Sequence, residues 1–163
     1  GSPDCRVELL IPDLQGNHQA LECILDARPQ VLGHNLETVP RLYQVARAGA
    51  DYQRSLDLLA AARKYAPYIP TKSGLMLGMG ETKAEVLGVM EDLRKVDCKM
   101  LTLGQYLQPT KKHLQVTRYV EPSEFDELRQ AGMQIGFDHV ESGPLVRSSY
   151  HAAEQFEGDH HEQ

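Results

Sequence analysis

Two side chains capable of chemistry, Lys72 and Ser73, lie inside the otherwise apolar segment 69–77, which is predicted to form a strand. An ammonium group is costly to bury unless it meets a partner charge or a wet cavity. Lys72 is therefore a candidate functional residue. One chemistry open to such a lysine is Schiff-base formation with a carbonyl substrate, as in aldolases.

A glycine-rich turn continues from the same strand and includes Gly74, Gly78 and Gly80 before Glu81. Glycine allows the backbone to approach a ligand closely, because it carries no Cβ atom. The spacing matches neither the dinucleotide-binding glycine pattern nor the phosphate-binding P-loop. The turn therefore predicts a ligand site between a strand and a helix without identifying the ligand.

Polar residues also follow the other predicted strands, at the ends where parallel α/β folds bind their ligands. Strand ends are often polar for structural reasons alone, so each residue is a candidate rather than an assignment. The candidates are His34, Asn35 and Glu37 at the end of the second strand, Gln105, Tyr106 and Leu107 at the end of the fourth, and Arg147, Ser148 and Ser149 after the last.

Strands and helices alternate along the chain and would position these residues. The predicted strands cover 6–11, 31–37, 69–77, 100–107 and 137–141. The predicted helices cover 18–27, 39–48, 52–65, 83–96 and 123–136, with a short helical tail from Ser148. A capping box of Thr82 and Glu85 marks one helix start. This alternation predicts an α/β fold with a mostly parallel sheet, either open or part of a larger barrel.

The composition limits the classes of protein that fit. With 163 residues, 41% of them hydrophobic, the chain suits one globular domain. The net charge of −6 gives no basic footprint for a nucleic acid. No apolar run approaches the roughly 20 residues of a membrane helix, and the first residues predict no signal peptide. Cys5, Cys23 and Cys98 form neither a zinc pattern nor a disulfide framework.

Five motifs together resemble the lipoyl synthases, a family of radical S-adenosylmethionine (SAM) enzymes. The motifs are VELLIPD at 7–13, HNLETVPRLY at 34–43, KSGLMLGMGE at 72–81, LTLGQYLQPT at 101–110 and SGPLVRSSYHA at 142–152. The resemblance implies that residues 5–141 supply the later β/α units of a partial (β/α)6 TIM-like barrel with a parallel sheet. Residues 142–163 would then form a C-terminal segment with the RSSY motif and a polar tail.

The resemblance implies a SAM site at the strand ends. In this superfamily the end of the fourth barrel strand binds the SAM ribose, which points to Asn35 and Glu37 here. A glycine-rich element on the fifth strand lines the same site, which points to Gly74 and Gly78.

The resemblance also implies contacts to the remaining parts of SAM. The sixth strand end packs on adenine in this superfamily, which points to Gln105, Tyr106 and Leu107. Lys72 and Ser73 are expected to face the same cavity and to meet the SAM carboxylate or the substrate.

The RSSY motif resembles the family element in which a serine binds an iron of an auxiliary [4Fe–4S] cluster. This role falls to Ser149, with Ser148 as the alternative, and Arg147 would hold the loop or steady a charged intermediate. A serine alkoxide is a weaker iron partner than a thiolate, which suits a cluster that gives up sulfide. The family holds two [4Fe–4S] clusters with CxxxCxxC and CxxxxCxxxxxC motifs, and this chain contains neither motif.

The family inserts two sulfur atoms into an octanoyl chain carried on a protein lysine. The implied partners are octanoylated lipoyl-carrier domains of 2-oxoacid dehydrogenase complexes or the glycine-cleavage H protein, and flavodoxin or ferredoxin as electron donor. The implied compartment is the bacterial cytoplasm or the mitochondrial matrix, with neither nucleic acid nor membrane as a partner. Because the cysteine motifs are missing, we expect the chain to be inactive alone.

Two other hypotheses stay open. A truncated relative could bind SAM or a carrier domain without catalysis. An aldolase-type enzyme could use Lys72 as its nucleophile, although that hypothesis gives the RSSY motif no role. A partial barrel would also expose an unpaired strand edge, which predicts a marginally stable or self-associating chain.

Overall fold

The computed structural model describes residues 5–147. Its five strands are parallel and form one sheet, in which they lie side by side in the order of the chain. The strands are β1 (Glu8–Leu10), β2 (Val31–Gly33), β3 (Thr71–Leu77), β4 (Met100–Gln105) and β5 (His139–Ser142). Sequential order is typical of successive units of a β/α barrel, whereas a doubly wound sheet reverses its order. The predicted α/β fold with barrel-type units is confirmed.

Helices connect the strands and cover one face of the sheet. They are α1 (His18–Asp26), α2 (Tyr43–Ala46), α3 (Tyr52–Tyr65), α4 (Lys83–Lys95) and α5 (Pro122–Ile135). Each crossover leads to the next strand in the same direction, so successive helices pack on the same side. The other face of the sheet is therefore free of helices in the described part of the chain.

Local signals set the ends of α4 and α5. Thr82 and Glu85 form the predicted capping box at the start of α4, with hydrogen bonds in both directions. Pro122 begins α5, where its missing N–H group costs nothing. Gly136 ends α5 with φ +119°, a conformation that favours glycine. These caps determine where the loops beside the strand ends begin and stop.

The hydrophobic core lies between the sheet and the helices and consists of two clusters. In the larger cluster, residues of β3 and β4 such as Leu75 and Leu103 pack on α4 and α5. In the smaller cluster, Leu21 and Leu25 of α1 pack with Leu58 of α3 and residues of β1 and β2. Both clusters anchor the strands, so the opposite face can carry small and polar residues.

The connection between β2 and β3 differs from the prediction. The second strand was expected over 31–37 but ends at Gly33, because Glu37 takes φ +69° and bonds to β3 instead. The helix expected over 39–48 is a 3-10 turn, Pro40–Leu42, followed by the short α2. The helix predicted from Ser148 lies outside the described residues, and the boundary at residue 142 stays a prediction. No helix within residues 5–147 is long and apolar enough to cross a membrane.

Candidate functional site

A cleft lies on the helix-free face of the sheet, near the carboxyl ends of β3 and β4. Side chains alternate along a strand, so Lys72, Gly74 and Met76 share this face. The cleft has a volume of about 260 Å³, and we call it the inner cleft. It is lined by Leu10, Asn35, Glu37, Gly74, Leu75, Met76, Thr102, Gly104, Val146 and Arg147.

Gly74 allows two polar side chains to meet at the floor of the inner cleft. A Cβ atom on Gly74 would lie 2.5 Å from Thr102 Oγ1 and 2.9 Å from Asn35 Oδ1. Real Cβ atoms do not make contacts this short. Asn35 and Thr102 can therefore approach the backbone of β3 only because residue 74 is glycine.

Glu37 is held at the mouth of the inner cleft in a strained backbone conformation. Its φ of +69° is uncommon for a residue other than glycine. The Glu37 N–H group donates to Gly74 O at 2.9 Å, and Glu37 O accepts from Met76 N at 2.8 Å. Such strain persists only where the surroundings over-determine it, and it is frequent at ligand sites. Glu37 is thus fixed onto β3 rather than left in a free loop.

The preceding residue, Leu36, is held as firmly. Its N–H group donates to Ser73 Oγ at 3.2 Å, and its carbonyl oxygen accepts from the Tyr43 hydroxyl and from Arg47 Nη1. Ser73 is fully buried on the helix side of β3, because it alternates with Gly74. This placement differs from the expectation that Ser73 faces the SAM cavity. Its hydroxyl instead supports the turn that presents Glu37.

Arg47 places a positive charge beside Glu37. Its Nη1 atom donates to Leu36 O at 3.1 Å and to the Tyr43 hydroxyl at 3.0 Å, and its guanidinium lies 5.2 Å from the centre of the Tyr43 ring. Burial raises the pKa of the Glu37 carboxyl above its ordinary value, while the hydrogen bond from Asn35 and the charge of Arg47 lower it. Arg47 therefore favours the ionised form of Glu37.

Lys72 lies on the helix-free face but is not a free cation. Its Nζ atom donates to Glu8 Oε1 at 2.9 Å, and its side chain is 2% exposed. The other oxygen, Glu8 Oε2, is buried with no hydrogen-bond partner in the described part of the chain. Burial of the Lys72 ammonium is thus compensated by a partner charge. This ion pair does not supply the free ammonium group expected to meet a SAM carboxylate.

His34 has a structural environment. Its Nδ1 atom lies 2.9 Å from Ile11 O and its Nε2 atom lies 2.8 Å from Ser55 Oγ. A carbonyl oxygen only accepts, so Nδ1 carries the proton and Nε2 accepts from the serine. Burial lowers the pKa of the His34 imidazole below its ordinary value. His34 therefore joins β1, β2 and α3 as a neutral side chain.

The turn after β3 is rigid. Gly78 and Gly80 have φ values of +100° and +111°, which favour glycine. The Glu81 carboxylate accepts from Gly78 N at 2.6 Å and from Met79 N at 2.9 Å. Arg41 donates to Gly80 O at 2.9 Å, which ties the turn to the connection after β2. The predicted glycine-rich element is therefore fixed at both of its ends.

Gln105 and Tyr106 fasten the long loop that follows β4. Gln105 Oε1 accepts from Val120 N at 2.8 Å, and Gln105 Nε2 donates to Arg118 O at 3.1 Å. The Tyr106 hydroxyl donates to Leu114 O at 2.7 Å. The Gln105 amide is consumed by these contacts, so its role in the structure is to shape the loop.

A second cleft, the rim cleft, adjoins the inner cleft and has a volume of about 310 Å³. The two clefts share Glu37 and Met76. The rim cleft is lined by Glu37, Thr38, Val45, Ala46, Arg47, Ala48, Met76, Met79, Tyr106, Pro109, Lys112, His113 and Leu114. Leu107 lies next to it and is 50% exposed. The lining is mainly apolar, with Glu37 and Arg47 at its junction with the inner cleft.

The segment after β5 turns back over the inner cleft. A Cβ atom on Gly104 would overlap the carbonyl oxygen of Val146, so glycine is required for this approach. Val146 and Arg147 both line the inner cleft. The predicted iron ligand Ser149 and its alternative Ser148 lie outside the described residues.

The described residues do not fit an iron–sulfur cluster. Within residues 5–147, no group of three or more His, Cys, Asp or Glu could hold a metal ion. Cys5 and Cys23 are exposed, and burial raises the pKa of the Cys98 thiol to about 11, which opposes the thiolate that metals bind. SAM fits better, because the inner cleft offers the Asn35 amide and the Glu37 carboxyl over a glycine floor.

Comparison with curated proteins gives a consistent result. The chain is 61% identical to the lipoyl synthase of Trichlorobacter lovleyi over 152 residues. This match covers 93% of this chain and 54% of that protein. The chain is 54% identical over 159 residues to the lipoyl synthase of Aeromonas hydrophila subsp. hydrophila, which covers 97% and 50%. The chain is a homologue of lipoyl synthases. It spans about half the length of the curated relatives it matches, and no family model matches it.

The lipoyl synthase resemblance points to Asn35, Glu37 and Gly74, and the structure brings these three residues together. Two residues that line the clefts, Thr102 and Arg47, were not predicted as site residues from the sequence. Thr102 is a polar residue inside an apolar strand, which is the signal that singled out Lys72. Arg47 has no comparable local signal, because the fold of the 34–47 connection alone brings it to Glu37.

Proposed function

We propose that this chain is the SAM-binding portion of a lipoyl synthase, an enzyme that inserts two sulfur atoms into a protein-bound octanoyl chain. The observation that carries this proposal is the meeting of Asn35 and Glu37 over Gly74, in a chain homologous to lipoyl synthases. Bound SAM supplies the hydrogen-abstracting radical on which such an enzyme depends. The protein binds the cofactor, orients it and excludes water.

The ribose of SAM is assigned to Asn35 and Glu37. An ionised carboxylate accepts hydrogen bonds from two hydroxyl groups, and an amide both donates and accepts. Arg47 supports this role because its charge favours the ionised carboxylate. Of the three guanidinium nitrogens of Arg47, only Nη1 donates a hydrogen bond within residues 5–147. Nε and Nη2 are therefore left for the SAM carboxylate. Met76, which lines both clefts, provides apolar surface for the adenine.

The cysteine ligands of the two [4Fe–4S] clusters are assigned to protein outside this chain, with Ser149 as one ligand inside it. The substrate would be an octanoylated lipoyl-carrier domain of a 2-oxoacid dehydrogenase complex or of the glycine-cleavage system. Flavodoxin or ferredoxin would supply electrons. The relatives compared above are bacterial, which favours the bacterial cytoplasm as the compartment.

Calorimetry with SAM tests the assignment of the ribose site. The unsubstituted chain is expected to bind SAM, and Asn35→Ala and Glu37→Gln are each expected to weaken binding by about tenfold, because each removes hydrogen bonds to the ligand. Gln44→Ala and Glu91→Gln are matched controls, since both residues are exposed and line neither cleft. Equal affinity in all four variants, or no binding by the unsubstituted chain, would contradict the proposal.

Anaerobic reconstitution with iron and sulfide tests whether the chain is inactive alone. We expect no stable [4Fe–4S] absorption and no SAM cleavage. Both signals from these 163 residues would show that the chain needs no further cluster ligands. If the chain binds SAM and stays inactive even when the cysteine-bearing half of a relative is supplied, the non-catalytic binding module becomes the better hypothesis.

A further inference from the structure

The loop between β4 and α5 is basic, although the protein as a whole is acidic. The chain has 23 Asp and Glu against 17 Lys and Arg. Between Asp97 and Glu121, however, it contains no acidic residue. Arg118 of this loop pairs with Glu124, whereas Lys111 and Lys112 form no ion pair within residues 5–147. Two exposed, uncompensated lysines are therefore concentrated in one loop.

The tip of this loop has a defined shape. The His113 N–H group donates to Thr110 O at 3.0 Å, and Thr110 Oγ1 lies 2.8 Å from His113 Nδ1. Lys112 N donates to Thr110 Oγ1 at 3.3 Å, and Gln108 Nε2 donates to His113 O at 2.9 Å. A turn that is already ordered loses little conformational entropy when a partner binds to it.

The loop tip forms one wall of the rim cleft. Lys112 and His113 line the cleft on this side, and Val45, which is 64% exposed, lines it as well. Met76 connects the rim cleft to the proposed SAM site. An exposed apolar patch rimmed by polar side chains is typical of a contact with another protein. A partner bound at this rim would have direct access to the inner cleft.

We propose that Lys111 and Lys112 dock an acidic surface of the protein that carries the substrate chain, so that its modified lysine points into the rim cleft. This inference rests on the proposed function. Charge complementarity favours a folded acidic protein as the occupant. A nucleic acid calls for a broader basic face than two lysines, and binding to an anionic membrane surface usually involves a cluster of about four to eight basic residues.

The test compares two charge reversals of the full chain. Lys111→Glu/Lys112→Glu alters the loop tip. Lys64→Glu/Lys95→Glu makes the same change of net charge in the last turns of α3 and α4, at the end of the sheet where the strands begin. Binding of an octanoylated lipoyl-carrier domain is measured by calorimetry at low and high salt. Anionic lipid vesicles and a single-stranded oligonucleotide are measured as alternative ligands.

We expect the loop variant to bind the carrier domain about tenfold more weakly at low salt, with the difference falling below about twofold near 0.5 M salt, where exposed charges are screened. The control variant should keep its affinity. Reversal of acidic residues on the carrier domain to lysine should restore binding to the loop variant. Equal losses in both variants, no loss, no carrier binding by the unsubstituted chain, or tighter binding of vesicles or oligonucleotide would overturn the proposal.

SAM affinity separates this inference from the proposed function. The loop variant should bind SAM as the unsubstituted chain does, because Lys111 and Lys112 lie outside the inner cleft. If the loop variant binds both SAM and the carrier domain as the unsubstituted chain does, the docking surface alone is refuted. If the unsubstituted chain does not bind SAM, the proposed function is refuted instead.

Discussion

Substitution of Gly74 by alanine should damage the proposed SAM site more than it damages the fold. The new Cβ atom would lie 2.5 Å from Thr102 Oγ1 and 2.9 Å from Asn35 Oδ1, so both side chains must move. Inserting a methyl group into filled space costs roughly 1–3 kcal/mol, and the lower unfolded-state entropy of alanine offsets roughly 0.4–1 kcal/mol of that. A net destabilisation of about 1 kcal/mol is expected.

The effect of Gly74→Ala on SAM affinity should be larger, because Asn35 is displaced from the ribose. Loss of a hydrogen bond of ordinary strength to the ligand corresponds to about tenfold in affinity. Urea denaturation followed by circular dichroism measures the free energy of unfolding, and calorimetry measures SAM binding. Gly88→Ala is the matched control, since this glycine lies inside α4 with no atom near its Cβ position. It should stabilise the chain by roughly 0.5–1 kcal/mol and leave SAM affinity unchanged.

A second variant tests the contact itself. Thr102→Ala removes the atom nearest to the new methyl group, so Gly74→Ala/Thr102→Ala should recover part of the stability that the two single changes lose separately. Strict additivity would contradict the steric argument. Gly74→Ala with the stability and SAM affinity of the unsubstituted chain would refute both the fit of the glycine and the place of Asn35 in the site.

Three further predictions concern the charged groups. Lys72→Met leaves the buried Glu8 carboxylate without its partner and should cost roughly 3 kcal/mol in urea denaturation, whereas Lys72→Met/Glu8→Gln should recover most of that loss. The lowered pKa of His34 means that the unfolded chain binds its proton more readily, so the free energy of unfolding should fall as the pH drops through the ordinary histidine pKa of about 6.5. His34→Gln should flatten that slope, and an unchanged slope would exclude His34 as its source. Arg47→Gln should raise the pKa of Glu37 further, so SAM affinity, measured by calorimetry across the acidic range, should begin to fall at a higher pH than in the unsubstituted chain.

Helix ends and loop conformations could be predicted from the sequence where the residues that determine them are close together in the chain. The ends of α4 and α5 were expected to within about a residue, because Thr82, Glu85, Pro122 and Gly136 act on their own helices. The connection after β2 was not, because the conformation of Glu37 is held by partners on β3 that lie more than 30 residues away. Local patterns carry no information on such distant hydrogen bonds.

For Lys72 and Ser73, the sequence predicts which face of the sheet each side chain occupies but not which group it contacts. Neighbouring residues of a strand point to opposite faces, so only one of the two can share the face of Gly74. That alternation was available from the sequence, whereas the partner of Lys72 on β1 was not. The identity of that partner decides whether Lys72 is a free cation or half of an ion pair.

The proposed site therefore divides between two kinds of residue with different expected sensitivities. Gly74 and Gly104 are small because other parts of the chain must pass close to β3 and β4, so larger residues there should reduce both stability and SAM binding. The chemical groups, Glu37 and Arg47, come from the irregular connection after β2. Other residues of that connection, Leu36, Val39 and Leu42, lie in the main core, whereas Glu37 and Arg47 are not part of it and are held by hydrogen bonds to neighbouring groups. Substitution of their side chains should reduce SAM binding with much less effect on stability. Equal effects on stability from both groups would show that the side chains of Glu37 and Arg47 contribute to the folding of the sheet as well as to the site.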